Sequence, residues 1–152
     1  MTEDELYMSE AISLAKLAGA EDEVPVGAVI VRDGRIIAKA YNKRQGHKCA
    51  TAHAEILAIE EACRTLGGWR LPEADLYVTL EPCPMCAGAA VNARVRRVIY
   101  GASDIRFGAL GSLIDLSEVP LNHKLSVSGG VLGDECRTLL SDYFKAKRVK
   151  SE

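Results

Sequence analysis

Residues 75–94, DLYVTLEPCPMCAGAAVNAR, change character half-way along. Asp75–Leu80 is a short apolar run rich in strand-forming residues. From Pro84 to about Arg94 the side chains suit a helix, and Pro84 fits the first turn, where its missing N–H is no loss. The spacing predicts a strand feeding straight into a helix, with Cys83 and Cys86 at the junction. Arg97–Gly101 is a second apolar strand, which gives a strand–helix–strand unit. Upstream, the period turns helical over Thr51–Leu66, with Ile56, Ile59 and Cys63 facing inward and Gly67-Gly68 as the stop. Before that lie two β-rich runs, Gly27–Arg32 and Arg35–Tyr41, joined by the hairpin dipeptide Asp33-Gly34. Thr2–Ala18 is expected to form an amphipathic helix ending at Gly19. Tyr7, Ala11, Leu14 and Ala18 would lie on one stripe, widened by Leu6 and Leu17. Residues 102–123 show no clear period. Leu125–Ser128 reads as a last strand, and Gly133–Val149 as a closing helix burying Leu139, Leu140, Tyr143 and Phe144. Strands alternating with helices after a hairpin imply an α/β fold, a mixed sheet covered by helices.

With 152 residues, 48% hydrophobic and 26% charged, the chain fits a single domain, 1–152, with a packed core that needs no disulfides. Five cysteines, an acidic MTEDEL start and no long apolar run lead to the expectation of a reducing cytoplasm and no membrane span. The net charge of −2 argues against a generally basic nucleic-acid binder. Its distribution is uneven, however. Residues 1–23 hold seven acidic side chains against Lys16, so the segment carries −6 and the remainder +4. Basic residues gather at Lys43, Arg44 and Lys48, at Arg94, Arg96 and Arg97, and at Lys145, Lys147, Arg148 and Lys150. Such clusters suit local phosphate contacts or plain solvated surface.

Two short words carry chemistry: Thr51-Ala52-His53-Ala54-Glu55 and Glu81-Pro82-Cys83-Pro84-Met85-Cys86. Zinc takes thiolate sulfur and imidazole nitrogen, and a catalytic site uses three protein ligands so that the fourth position stays open. Cys83 and Cys86, three apart at a helix entry, can turn both sulfurs to one point, where the helix N-terminus favours thiolates. His53 opens the other helix. Residues two apart in mid-helix diverge, so His53 and Glu55 are expected in the first turn. Glu55 is the candidate proton carrier and not a ligand. A structural zinc knuckle or a redox pair also uses C-x-x-C, but no second such pair appears. Cys49, four residues before His53, is a candidate fourth ligand, and Cys63 and Cys136 read as core or loop thiols. H-x-E followed by P-C-x-x-C is the known signature of the zinc nucleobase deaminases.

The chain also resembles the bacterial tRNA-specific adenosine deaminases of the cytidine and deoxycytidylate deaminase superfamily. Beyond the metal words, the resemblance rests on Glu23-Val24-Pro25-Val26-Gly27-Ala28, Tyr41-Asn42, Thr79-Leu80-Glu81 and Ala87-Gly88-Ala89. Gly108-Ala109-Leu110-Gly111-Ser112 and Asn122-His123 continue it downstream. It implies a cytidine-deaminase-like three-layer α/β/α sandwich around a five-stranded mixed sheet. It also implies one Zn2+ per subunit, a homodimer, and action on the wobble adenosine of a tRNA anticodon stem-loop. Asn42 would hydrogen-bond the purine, Asp104 would lie among the groups meeting RNA, and Tyr143, Phe144 and the following lysines would form an RNA-contacting final helix. Two departures stand out. Cys49-Ala50 replaces a more usual Asp-Pro, and Arg106-Phe107 replaces a Lys followed by a small residue, as in the eukaryotic relatives. Phe107 suits stacking on a base and Arg106 a phosphate. The rival readings are a deaminase of free bases or nucleosides, such as guanine or cytosine, and a non-catalytic zinc protein that binds RNA.

Overall fold

The computed structural model describes residues 1–149 in full and the backbone of 150 and 151. Glu152, and the Lys150 side chain of the basic tail, lie outside the described residues. Helix α1 (Glu3–Ala20) is followed by the hairpin β1 (Gly27–Arg32) and β2 (Arg35–Tyr41), then α2 (Ala54–Leu66), β3 (Ala74–Leu80), α3 (Pro84–Asn92) and β4 (Arg97–Ala102). A short 3₁₀ turn at Leu116–Glu118 precedes β5 (Ser126–Ser128) and α4 (Gly133–Ser151). The strands form one five-stranded sheet in the order β2-β1-β3-β4-β5. Strand β1 is antiparallel to both β2 and β3, while β3, β4 and β5 are mutually parallel. Four strands therefore point the same way, and β1 alone runs against them. The segments leaving β2, β3 and β4 all emerge at one edge, the carboxyl edge where α/β sheets place their ligands.

Alternation along the strands sorts the core into two layers. Ala28 and Ile30 of β1, Leu76 and Val78 of β3, and Val98 and Tyr100 of β4 pack beneath α2 and α3. Val29, Val31, Tyr77 and Ile99 point the other way, onto Met8, Ala11 and Ile12 of α1 and Cys136 of α4. The expected three-layer α/β/α sandwich is what forms. Tyr77 and Asp4 tie one helical layer to the sheet. The tyrosine hydroxyl donates to the Asp4 carboxylate over 2.6 Å, and Arg97 donates to its other oxygen over 3.1 Å.

The start of α1 and the hairpin turn follow local rules. Thr2 caps α1 by accepting from the Glu5 N–H, and the Glu5 carboxylate accepts in return from the Thr2 N–H. Asp33 and Gly34 have φ of 52° and 70°, both left-handed, which matches the right-handed twist of the flanking strands. Other expectations are corrected. Helix α1 runs past Gly19 to Ala20, and its buried face is Met8, Ala11, Ile12, Ala15 and Ala18, whereas Leu6 and Leu17 are about half exposed, at 55% and 51%. The reason is Gly27. A Cβ there would lie 2.1 Å from the Ala11 carbonyl oxygen and 2.6 Å from the Ala15 nitrogen, so the α1 backbone lies directly on β1 and only small side chains fit along the contact. In α2 the fully buried face is Ala54, Glu55, Ala58, Ile59 and Ala62, with Ile56 and Cys63 only half-buried. In α4, Cys136 is buried, Leu139, Leu140 and Tyr143 are half-buried, and Phe144 is exposed, because α4 covers the sheet only with its first turns.

The Gly27 contact is testable by urea unfolding. Gly27→Ala should lower the midpoint, with a loss of at least the roughly 1–3 kcal/mol typical of core overpacking. An unchanged midpoint would mean that α1 does not rest on β1 in this way.

Candidate metal centre

Two helix N-termini meet at the carboxyl edge of the sheet. His53 is the N-cap of α2, with extended φ and ψ of −74° and 152° and no side-chain capping bond, so its ring is free to turn away from the helix. Cys83 is the N-cap of α3, Pro84 opens its first turn, and Cys86 follows within it. The His53 Nδ1 lies 3.5 Å from Cys86 Sγ and 3.7 Å from Cys83 Sγ, and the three donor atoms all lie within 4.8 Å of one another. A tetrahedral zinc bonded at about 2.3 Å to sulfur and about 2.05 Å to nitrogen separates those atoms by about 3.6 Å. The donor set therefore fits the ion in both chemistry and spacing. His53 and Glu55 both sit in the first turn of α2, as the two-residue spacing requires.

The electrostatics agree. The Cys83 thiol is lowered to about 4, chiefly by its hydrogen bond from the Cys86 thiol and further by His53. The same bond, seen from the donor side, and then burial push Cys86 up. His53 is raised by its bond to Cys83 against the opposing effect of burial. These three groups share protons that a cation would displace, leaving both sulfurs as thiolates. Glu55 is 4% exposed, and burial pushes its carboxyl up to about 7. A carboxyl with that value can both give and take a proton near neutrality.

Cys49 does not complete the set. It is exposed, with its sulfur 3.3 Å from the Thr51 hydroxyl, and among the described residues no fourth donor joins the three. Cys63 sits beside the Trp69 carbonyl, and Cys136 is buried in the opposite layer.

The residues expected to meet substrate surround the same edge. Asn42 follows β2 and is buried. Its amide nitrogen donates to the Val24 carbonyl at 3.3 Å, and its oxygen accepts from the Arg44 N–H at 3.3 Å. An amide has two donors and two lone pairs, and these two bonds use one of each. The Lys43 N–H donates to the Ala52 carbonyl, which brings this segment alongside His53. Asp104 is a turn-capping residue, since its carboxylate accepts from the N–H groups of Arg106 and Phe107. Those two side chains stand outward, Phe107 at 63% exposure.

Two further side chains, not assigned a role from sequence, are buried carboxylates. Glu23 accepts from the N–H groups of Gln45 and Gly46, and Glu81 accepts from those of Asp104, Leu110 and Ser112. For Glu81 the available signal was an acid beside a proline directly after an apolar strand, whereas Glu23 closes the acidic run Glu21-Asp22-Glu23 and carried no such signal.

The family model described as the cytidine and deoxycytidylate deaminase zinc-binding region matches residues 1–102. The chain belongs to this deaminase family. Among its relatives, the tRNA-specific adenosine deaminase of Bacillus subtilis is 53% identical over 100% of this chain and 95% of that protein. A structure solved in a study of A-to-I editing by tRNA:A34 deaminases superposes with a TM-score of 0.85 at 47% identity, covering 89% of this chain and 99% of the other. A guanine deaminase from Nitrosomonas europaea matches less closely, with a TM-score of 0.77 at 28% identity over 91% of this chain and 83% of that one. Zinc is thus the cofactor of this deaminase, and His53, Cys83 and Cys86 are placed to bind it.

Two outcomes test the site. Cys86→Ala should leave purified protein with little bound zinc by metal analysis, and full occupancy would remove Cys86 from the ligand set. The second concerns the metal-free protein. Glu55 is half-ionised near pH 4.5 when unfolded but near 7 when folded. Between those values the native state holds more protons, so stability falls as pH rises, by up to roughly 3 kcal/mol above pH 7. Metal-free Glu55→Gln cannot ionise there and should be more stable than metal-free wild type at pH 8 and equal to it near pH 4. Identical curves at both pH values would contradict the burial argument.

Proposed function

We propose that the protein is a zinc-dependent tRNA-specific adenosine deaminase, converting the wobble adenosine of the anticodon loop to inosine with release of ammonia. The observation that carries this reading is a buried Glu55 carboxyl beside three converging donors, in a chain 53% identical along its whole length to a tRNA-specific adenosine deaminase. His53, Cys83 and Cys86 hold the ion. When bound, zinc lowers the pKa of water from about 15.7 toward roughly 7 and so supplies a nucleophile at neutral pH.

Glu55 does the proton work. It takes a proton from the attacking water and delivers it to N1 of the purine as oxygen bonds to C6. It then takes the remaining proton from that oxygen and passes it to the amino group as the C6–N bond breaks, leaving the C6 carbonyl and ammonia. Its value of about 7 serves both directions. Asn42 uses its remaining donor and lone pair to orient the ring. Asp104 shapes the turn that presents Arg106 to a phosphate and Phe107 to a base. Bases in an anticodon loop are already partly unstacked, so extruding one costs less than in a duplex. Lys145, Lys147 and Arg148 on the outer part of α4 add positive charge toward RNA, and Lys147 also pairs with Asp22. The whole chain, 1–152, acts as a single domain in the cytoplasm. No helix among the described residues is long and apolar enough to cross a membrane. The proposed homodimer would cover the shallow apolar groove between α2 and α3, lined by Ile56, Ile59, Cys63, Trp69 and Ala89.

The decisive assay presents an anticodon stem-loop with adenosine at the wobble position, and separately free guanine and cytosine. Inosine and ammonia should form from the stem-loop alone. Turnover of a free base without action on the stem-loop would select the free-base deaminase instead. In the same assay Glu55→Ala should keep its zinc and lose at least the roughly 10²–10⁴ typical of an acid–base group.

A further inference from the structure

The segment between β4 and β5 has little secondary structure to hold it. Between 103 and 115 its strand pairing amounts to one isolated bridge, Leu110 with Asp115, and it carries the exposed Arg106 and Phe107. Buried N–H groups need acceptors. Some here find them within the loop, as Gly108 does at the Asp104 carbonyl and Gly111 at the Ile114 carbonyl, and others find a side chain from outside it. Glu81 follows β3 directly, two residues before Cys83, and is 2% exposed. One carboxylate oxygen accepts from the Asp104 N–H at 3.1 Å and from the Ser112 hydroxyl. The other accepts from the N–H groups of Leu110 and Ser112, each at 3.1 Å. The loop backbone lies directly on this carboxylate at Gly108, where a Cβ would fall 2.4 Å from the Glu81 carboxyl carbon. The Ala109 N–H adds a bond of 2.9 Å to the Pro82 carbonyl.

We propose that Glu81 is a positioning residue that locks the Asp104–Ser112 loop onto the strand end carrying Cys83, and so sets where Phe107 and Arg106 meet the RNA. The inference rests on the reading of those two side chains as RNA contacts. An ionised carboxylate is an acceptor at all of its lone pairs, and four donors converge on this one. Glutamine has nearly the same shape but must turn an NH2 group toward two of those donors. The loop is then loosened with no change in either sulfur ligand.

The test combines Glu81→Gln, Glu81→Asp, Gly108→Ala and Phe107→Ala in the zinc-loaded full chain. Amide hydrogen exchange is read first, without RNA. Glu81→Gln should speed exchange at Leu110 and Ser112 by about tenfold or more, while zinc content stays at the wild-type level. Protected amides, or loss of zinc, would overturn the proposal. Kinetics on the anticodon stem-loop follow. Glu81→Gln should raise KM by about tenfold and leave kcat within about threefold, with Glu81→Asp partly restoring KM. Combined with Phe107→Ala, its effect on KM should be less than multiplicative, since both changes remove one contact. A fall in kcat at constant KM, or fully multiplicative effects, would also overturn it. Should Glu81→Gln fail to fold, Gly108→Ala displaces the loop while keeping the carboxylate and must give the same exchange and KM pattern. Wild-type enzyme inactive on the stem-loop would defeat the functional reading instead, and the exchange experiment would still decide whether Glu81 holds the loop.

Discussion

Two sulfurs and an imidazole can share one cation only if the two helices that carry them begin at the same place. Strand β1 secures this by running opposite to its neighbours on both sides. Because β2 and β3 then point the same way, the segments that follow them leave the sheet at one edge, and α2 and α3 start close together. Each N-terminus adds partial positive charge to the same small volume. At Cys83 the hydrogen bond from Cys86, and then His53, favour the thiolate, and Glu55, carried by the first turn of α2, is buried nearby. The candidate acid–base group and the metal donors thus come from a single topological choice.

Close approach of the helices to the sheet depends on small side chains. Alanines at 54, 58 and 62 in α2 and at 87 and 90 in α3 make up much of the buried helical surface, and Gly27 does the same for α1. This explains both what the sequence reveals and what it hides. Strand positions were legible because the strands are apolar and end in turn residues. The metal site was legible because its ligands fall in two short words at predicted helix starts. Helix faces depart from the periodicity where bulky residues such as Leu6, Leu17 and Phe144 stand exposed and alanines do the packing. A periodicity argument weights size, and here the tightest contacts are made by the smallest residues.

The stretch after β4 was illegible for a different reason. Residues 103–115 have no period because no ladder or long helix orders them. Their order comes from tertiary bonds to Glu81 and the Pro82 carbonyl, from the Asp104 carboxylate, and from short-range backbone bonds such as Gly111 to the Ile114 carbonyl. Likewise the loop after β2 takes its shape from Glu23, twenty-two residues before Gln45. Such long-range acceptors leave no local pattern. Asn42 shows the same limit: its position at a strand end could be read, but not that its amide spends half its capacity on Val24 and Arg44.

These two buried carboxylates also bear on how one fold serves different substrates. The guanine deaminase that superposes on this chain shares the fold at 28% identity, so the sandwich alone does not select among bases. In the proposed function, selection falls to the segments at the carboxyl edge, among them the pair of loops held by Glu23 and Glu81. A loop fixed by a side chain from the scaffold, and not by its own hydrogen-bond ladder, can change length or tip residues without disturbing the strand that holds it. Arg106 and Phe107 sit at such a tip, turned outward by the Asp104 cap and supported from below by Glu81. A metal site needs rigidity, and the RNA contact proposed for this loop needs freedom to vary. Placing Glu81 two residues before Cys83 lets one strand end provide the first while anchoring the second.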